Sequence, residues 1–189
     1  SAVNSFGSVV IAGCSAAANI EGFIYASTNC FYHAAITFTG QHIGAGKYKR
    51  ISKILLSCIG CAFVVCAIFS VIVCVFAKNL AGIYSTDLQV VEVTVTRLLI
   101  VCSGYVFCSV MDVIPGVIRG MGYSITPTII TLTGACFVRI IWVITIFQYF
   151  RSLKMLLIVY PISWSLTIVA HLVFFTFANR KMLKSTSLN

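Results

Sequence analysis

Long apolar runs separated by short polar stretches dominate the pattern of this chain. Because the hydrocarbon layer of a bilayer is about 30 Å thick and a helix rises about 1.5 Å per residue, a run of about 20 apolar residues crosses it. The pattern predicts an all-α protein, a polytopic transmembrane helix bundle of about five full spans plus the end of a preceding one. The predicted spans are residues 9–39, 54–77, 90–118, 126–150 and 156–178, with a tail at 179–189.

Two of the predicted spans carry polar stripes. In the first, polar residues recur every three or four positions, at Glu21, Tyr25, Thr28, Asn29 and Tyr32. Residues at this spacing share one face of a helix. A similar stripe in the third span runs through Cys102, Tyr105, Ser109 and Asp112. Since lipid surrounds such helices, we expect both stripes to face the bundle interior or a water-filled cavity.

Proline, glycine and polar residues predict where the helices are interrupted. The segment 78–88 is predicted to be a loop. The third helix is predicted to break around Arg119, because proline removes a backbone donor and glycine tolerates unusual dihedral angles. The residues responsible are Pro115, Gly116, Gly120 and Gly122. Pro161 is predicted to kink the fifth span.

Composition and charge strengthen the membrane assignment. The chain is 60% hydrophobic and 9% charged, whereas soluble domains have roughly 45–50% and about 25%. The net charge of +9 does not indicate nucleic-acid binding, since no continuous basic face interleaved with aromatic residues is present. Basic residues cluster instead at 47–53 and 180–184, between or after apolar runs, which is typical of cytoplasmic loops. We therefore expect a multi-pass protein of the cell membrane with the Arg119 turn and the C-terminus in the cytoplasm.

Cysteines and enzyme motifs indicate no catalytic or metal site. Most of the nine cysteines lie in apolar runs, where a thiol acts as a small hydrophobic group. Cys58 and Cys61 have the spacing of half a zinc site, but no second pair completes it, so no metal is expected. The glycine-rich stretch 40–47 lacks the spacing of a phosphate loop, and Tyr48 replaces the required Ser or Thr. Without HExxH or GxSxG motifs, neither an enzyme nor a cofactor is expected.

Four ionisable residues stand out as candidates within the predicted spans, where a charge costs about 2.5–3.5 kcal/mol. Counted from the presumed cytoplasmic ends, Asp112 lies roughly 9 Å deep, His33 roughly 12 Å, Arg139 roughly 20 Å and Glu21 roughly 30 Å. A carboxylate beside an imidazole can exchange a proton, as proton-coupled transport requires. In the alternative interpretation, Asp112 accepts hydrogen bonds from the Arg119 turn and His33 is a satisfied buried histidine.

The other two ionisable residues also have two interpretations. Glu21 either holds a cation or lies near enough to the surface to be hydrated. Arg139 either pairs with Glu21 or Asp112 or binds an anionic group. The aromatic residues Tyr160, Trp164 and His171 follow helical spacing on the last span. Such residues either line a cavity or, more often, serve as packing and interface anchors.

Two stretches resemble a known transporter family. Residues 36–51, ITFTGQHIGAGKYKRI, are similar to the GQ-x-x-GAG-x-x-x-R loop of multidrug and toxic compound extrusion transporters, at Gly40, Gln41, Gly44, Gly46 and Arg50. Residues 116–127, GVIRGMGYSITP, resemble that family's G-x-x-RG-x-G-x-S-x-x-P turn, at Gly116, Arg119, Gly120, Gly122 and Pro127. Residues 4–7 and 16–22 are similar to bacterial members. The chain opens without Met and is expected to be a fragment.

The resemblance implies that the chain is the second lobe of a twelve-helix transporter. Its partners would be the lipid bilayer, a missing N-terminal lobe, and small cationic or amphipathic compounds. Such transporters export these compounds in exchange for protons or sodium ions. Some members have an essential acidic residue on the span that matches the Asp112 helix. Compared with that residue, Asp112 lies about one helical turn closer to the Arg119 loop.

Three functional hypotheses follow from the residues and the resemblance. The first is a cation-coupled multidrug exporter whose cavity is lined by Glu21, Asp112, Tyr25, Asn29 and Tyr105. The second is a flippase for lipid-linked precursors, in which Arg139 binds phosphate. The third is a membrane scaffold without transport, whose polar stripes only hold the helices together.

Overall fold

The computed structural model describes residues 7–145 and 153–186 of the chain, and these residues are helical with short connections. The helices are α1 (Ser8–Gly44), α2 (Ile51–Val75), α3 (Ala77–Tyr84), α4 (Leu88–Gly120), α5 (Ile125–Thr131), α6 (Val138–Ile144) and α7 (Leu153–Thr186). A short 3-10 turn, Tyr48–Arg50, precedes α2, and a π-helical segment, Leu132–Phe137, joins α5 to α6. No strand occurs in the described ranges, which confirms the all-α fold.

Five stretches of this helical chain are long and apolar enough to cross a membrane. They are Ser8–Gly44, Tyr48–Val75, Leu88–Gly120, Ile125–Ile144 and Leu153–Lys184. Many of their large apolar side chains point away from the bundle, as lipid-facing residues do. The prediction of a polytopic transmembrane bundle is therefore confirmed for the part of the chain that the structure describes.

Helix α4 is the centre of the bundle, because α1, α2 and α7 all pack against it. Its apolar side chains contribute to two separate buried clusters. One cluster includes Ile24 of α1, Leu98 of α4 and Leu157 of α7. The other lies nearer the loop between α1 and α2 and includes Ile51 and Ile114. The fourth span, by contrast, is mostly exposed along its length.

Helix α3 occupies most of the segment that was predicted to be a loop. Its apolar residues recur at Ala77, Leu80, Ala81 and Tyr84, which is the spacing of an amphipathic helix. Ala77 and Ala81 are buried, and Leu80 packs against the first cluster. The loop prediction was wrong because Lys78 and Asn79 are polar positions on the exposed face of a short helix.

The helix ends also differ from the prediction. Helix α4 continues through Pro115 and Gly116 to Gly120, so these two residues lie inside the helix and do not break it. Membrane helices tolerate proline when neighbouring helices pack around it, and Pro115 is buried. Helix α7 continues to Thr186, so the described part of the predicted 179–189 tail is helical. The last residues of the predicted 126–150 span lie outside the described residues.

The two family-like motifs end α1 and α4 in the same way. Gly46 and Gly122 have φ angles of +69° and +94°, in the region that favours glycine. After each glycine, the next residue donates its N–H to the carbonyl five positions earlier, Lys47 to His42 and Tyr123 to Ile118. This is a Schellman termination of a helix. Gly40, Gln41 and Gly44 lie within the final turns of α1, so the loop begins later than predicted.

Two other motif glycines allow close helix packing between α1 and α4. A Cβ atom on Gly116 would lie 2.8 Å from the carbonyl oxygen of Tyr32, and one on Gly120 would lie 2.6 Å from Cβ of Thr39. Small residues four positions apart are a common way to bring membrane helices together. The motif Gly116-x-x-x-Gly120 therefore permits the close contact between α1 and α4.

Candidate functional site

A polar cavity opens between α1, the C-terminal half of α4 and the start of the fourth span. Its volume is about 390 Å³, within the range of roughly 300–1,000 Å³ that small-molecule sites occupy. The stripe residues Tyr25, Asn29 and Tyr32 line it from α1, and Asp112 lines it from α4. We call this space the Asp112 cavity.

Asp112 is a half-buried carboxylate that pairs with no cationic side chain among the described residues. Within residues 7–145 and 153–186, no side chain donates a hydrogen bond to it, and no ion pair neutralises it. Arg119, two turns further along α4, donates instead to the hydroxyl oxygens of Tyr32 and Thr128. The alternative in which Asp112 accepts hydrogen bonds from the Arg119 turn is therefore wrong. The carboxylate remains available to a ligand in the cavity.

Aromatic and hydroxyl groups lie around the carboxylate, and Arg119, held by Tyr32 and Thr128, lines the same cavity. Tyr25, Asn29 and Tyr32 follow one another by one turn of α1, which explains why they share the cavity wall. Across the cavity, the fourth span contributes Thr128 and Thr131. Aromatic rings attract cations through their negative faces, and carboxylates attract them by charge. The arrangement can therefore hold a small cation or the positive group of an amphipathic compound.

Glu21 lies outside this cavity, in a salt bridge with Arg97 of α4. Nε and Nη2 of Arg97 donate to Oε1 and Oε2 of Glu21, both over 2.9 Å. The two side chains are 12% and 10% exposed, respectively. The prediction that Glu21 lines the cavity was wrong, because Arg97 faces it across the α1–α4 contact and neutralises its charge.

Three more candidates occupy other positions. His33 is exposed and touches only the edge of the Tyr32 ring among the cavity residues, with ring centroids 5.1 Å apart. It lies one residue beyond Tyr32, about 100° around the helix, so it does not face Asp112. Tyr105 is buried in the first cluster, with its ring 5.7 Å from that of Trp164. The predictions that His33 lies beside Asp112 and that Tyr105 lines the cavity were wrong.

Arg139 likewise points away from the Asp112 cavity. Its guanidinium carbon lies 4.4 Å from the centroid of the Tyr160 ring, and its Nε donates to Oγ of Ser163 over 3.1 Å. It pairs with neither Glu21 nor Asp112 among the described residues. Cation–π contact and a hydroxyl acceptor on α7 explain how this cation is held within the bundle.

The sequence interpretation missed several cavity residues. Tyr32 was recognised as part of the polar stripe but was not assigned to the site, although its spacing from Tyr25 and Asn29 indicates the same face. Thr131 lines the cavity and lies 3.1 Å from Nε2 of the buried His171. Cys136 lies in the π-helical segment and lines the cavity. The sequence pattern did not indicate this segment, whose spacing differs from that of an α-helix. Such π segments often occur at functional sites in membrane and soluble helices.

A bundle of membrane-crossing helices around a polar cavity with an unpaired carboxylate defines a polytopic membrane protein of the transporter class. The MatE family model matches residues 1–145 of the 189-residue chain. The chain therefore belongs to the MatE family, the multidrug and toxic compound extrusion transporters, and the resemblance seen in its loops is confirmed. No match was found among curated proteins.

Family membership also gives the coarse function. The protein is a membrane transporter of this superfamily, and the family is not one of enzymes. Membership of a transporter family argues against the hypothesis of a membrane scaffold without transport. The functional roles of Asp112 and the residues around it stay predictions.

Proposed function

We propose that this chain forms the C-terminal lobe of an exporter that moves cationic or amphipathic compounds in exchange for protons or sodium ions. The observation that carries the proposal is the half-buried, unpaired Asp112 in a cavity walled by Tyr25 and Tyr32. A carboxylate held without a partner in a membrane protein is costly, and such groups usually bind ions or substrates.

Coupling follows if the exported compound and the coupling ion use the same carboxylate. When a proton or sodium ion occupies Asp112, its negative charge is neutralised and the cavity holds a cationic compound less tightly. When the ion leaves, the compound binds. Exchange of this kind needs two conformations that the two ligands stabilise differently. In such folds the conformations differ by rocking of one lobe against another, so we propose that a second, N-terminal lobe is required.

The orientation that fits this proposal places the basic residues at 47–53 and 180–184 in the cytoplasm, with the protein in the cell membrane. The C-terminus of α7 is then cytoplasmic. In this orientation the Asp112 cavity lies nearer the cytoplasmic ends of α1 and α4 than their outer ends, since Asp112 is eight residues from the end of α4 at Gly120. Compounds would therefore load from the cytoplasmic side.

The test is ion-driven efflux of ethidium by the full-length protein in energised membrane vesicles. We expect Asp112→Asn to reduce efflux by about tenfold or more, because a lost interaction with a charged group costs about 1.5–3 kcal/mol and about 1.4 kcal/mol is tenfold. The matched control is Asp87→Asn. Asp87 is an exposed N-cap whose carboxylate accepts from the N–H of Gln89 over 2.9 Å. Because asparagine caps helices equally well, efflux should be unchanged.

Insertion has to be measured in the same vesicles. Both variants should reach the membrane in wild-type amounts and elute as a single species in detergent. Imposing a proton gradient or a sodium gradient separately identifies the coupling ion. If Asp112→Asn supports normal efflux under both gradients, Asp112 has no part in coupling and the proposal fails.

A further inference from the structure

A second cavity of about 640 Å³ lies between α1 and α2, on another face of α1. Four residues line it from α1 at the three- and four-residue spacing of one helix face: Phe31, Ala34, Phe38 and His42. Its lining shares no residue with that of the Asp112 cavity. We call it the α1–α2 groove. Neither the family nor the proposed export function assigns it a role.

One end of the groove carries three basic side chains, His42, Arg50 and Lys53. Arg50 and Lys53 are exposed, and neither side chain forms an ion pair or hydrogen bond with another described residue. Nδ1 of His42 donates to the carbonyl of Phe38 over 2.9 Å, which directs the opposite ring nitrogen outward. Two cationic side chains, Arg50 and Lys53, and the imidazole of His42 therefore lie at the end of the groove nearest the α1–α2 loop.

The other end of the groove is apolar. Phe31 lies there on α1, and Cys58 and Cys61 lie there on α2. Phe31 and His42 are eleven positions apart, which corresponds to about 16 Å along the helix. This length is close to half of the ~30 Å hydrocarbon layer, which is the depth of one leaflet. The groove therefore matches a lipid molecule in two respects. Its basic end is suited to a headgroup, and its apolar part is about as long as one acyl chain.

We propose that the α1–α2 groove binds an anionic glycerophospholipid. Its phosphate contacts His42, Arg50 and Lys53, and an acyl chain lies along Phe31 and Phe38. The structure favours this occupant for two reasons. The groove lining contains no carboxylate that would meet the ammonium group of a zwitterionic lipid. The apolar depth would be left empty by a free phosphate ion. Basic pockets between helices at a membrane surface recognise anionic headgroups in this way.

The test measures lipids retained by the full-length protein after extraction from nanodiscs that contain equal amounts of phosphatidylglycerol and phosphatidylcholine. Native mass spectrometry counts the bound lipids. The wild-type protein should retain phosphatidylglycerol in preference to phosphatidylcholine. The double variant Arg50→Gln/Lys53→Gln should lower this retention by about tenfold or more.

The matched control is Lys47→Gln/Lys49→Gln. It removes the same number of charges from the same basic stretch, but neither lysine lines the groove. Its phosphatidylglycerol retention should stay within about twofold of wild type. An equal loss in both double variants would mean that the basic stretch attracts anionic lipid diffusely, and would overturn the proposal.

A second variant tests the apolar part while keeping His42, Arg50 and Lys53. Ser57 is an exposed groove residue, so Ser57→Trp should fill the groove without disturbing the core and should displace the lipid. Gly60→Trp, on an open face of the same helix, should leave lipid binding unchanged. Retention unaffected by Ser57→Trp would overturn the proposal. So would a wild-type protein with no preference for phosphatidylglycerol, because the groove would then be covered by another part of the protein.

Discussion

The salt bridge between Glu21 and Arg97 provides the sharpest test of how the bundle tolerates buried charge. We consider replacing each partner with methionine, singly and together. Each single change leaves one charge without its partner at the α1–α4 contact. The double change leaves two flexible apolar side chains that fit a helix interface.

The structure sets the expected magnitude. Both carboxylate oxygens accept hydrogen bonds of 2.9 Å from Arg97, and the side chains are only 12% and 10% exposed. Removing one member of such a pair costs about 3–5 kcal/mol, whereas replacing both with apolar residues is often nearly neutral. For a protein unit of this size, a loss of about 3–5 kcal/mol lowers the melting temperature by about 6–20 °C.

The assay is thermal unfolding of the full-length protein in detergent, followed by size-exclusion fluorescence. Glu21→Met and Arg97→Met should each lower the melting temperature within that range. The double variant should recover to within about 1 kcal/mol of wild type. Glu92→Met, at an exposed position on α4, is the control and should change stability by less than about 0.5 kcal/mol. A double variant as unstable as the sum of the two singles would refute the reasoning.

Two further predictions concern packing and hydration. Gly116→Ala should destabilise the protein by about 1–3 kcal/mol, because its Cβ would lie 2.8 Å from the Tyr32 carbonyl oxygen. Gly40→Ala, in open space on α1, should not lower the melting temperature, and equal effects would contradict the packing explanation. A water-soluble maleimide should modify Cys136, which lines the Asp112 cavity, much faster than the fully buried Cys102. Equal labelling rates by peptide mass spectrometry would show that the cavity is dry.

Much of the fold could be predicted from the sequence because the bilayer imposes a simple rule. A helix must be about 20 apolar residues long to cross it, and that rule found all five membrane-crossing stretches that the structure describes. This length rule does not predict short amphipathic helices at the membrane surface. It therefore predicts a loop where α3 lies, since only Ala77 and Ala81 of the helix are buried.

The site was predicted only in part, because periodicity identifies a helix face but not the helix opposite. Tyr25, Asn29 and Asp112 do line one cavity. Glu21 belongs to the same stripe, yet its partner Arg97 lies 76 residues away. No local pattern reveals such a pair. Counting residues from the ends of the helices gives a depth in the membrane but no direction around the helix. It placed His33 at the level of Asp112, although the two side chains point in different directions.

The central claim is that Asp112 binds the coupling cation and the exported compound in alternation. The most direct measurement is the affinity of the full-length protein for tetraphenylphosphonium, titrated over a range of pH and sodium concentrations. Raising the concentration of one of these two cations should weaken binding in the wild type and in Asp87→Asn, and Asp112→Asn should remove this dependence. If Asp112→Asn shows the same cation dependence as the wild type, Asp112 does not bind the two cations in alternation.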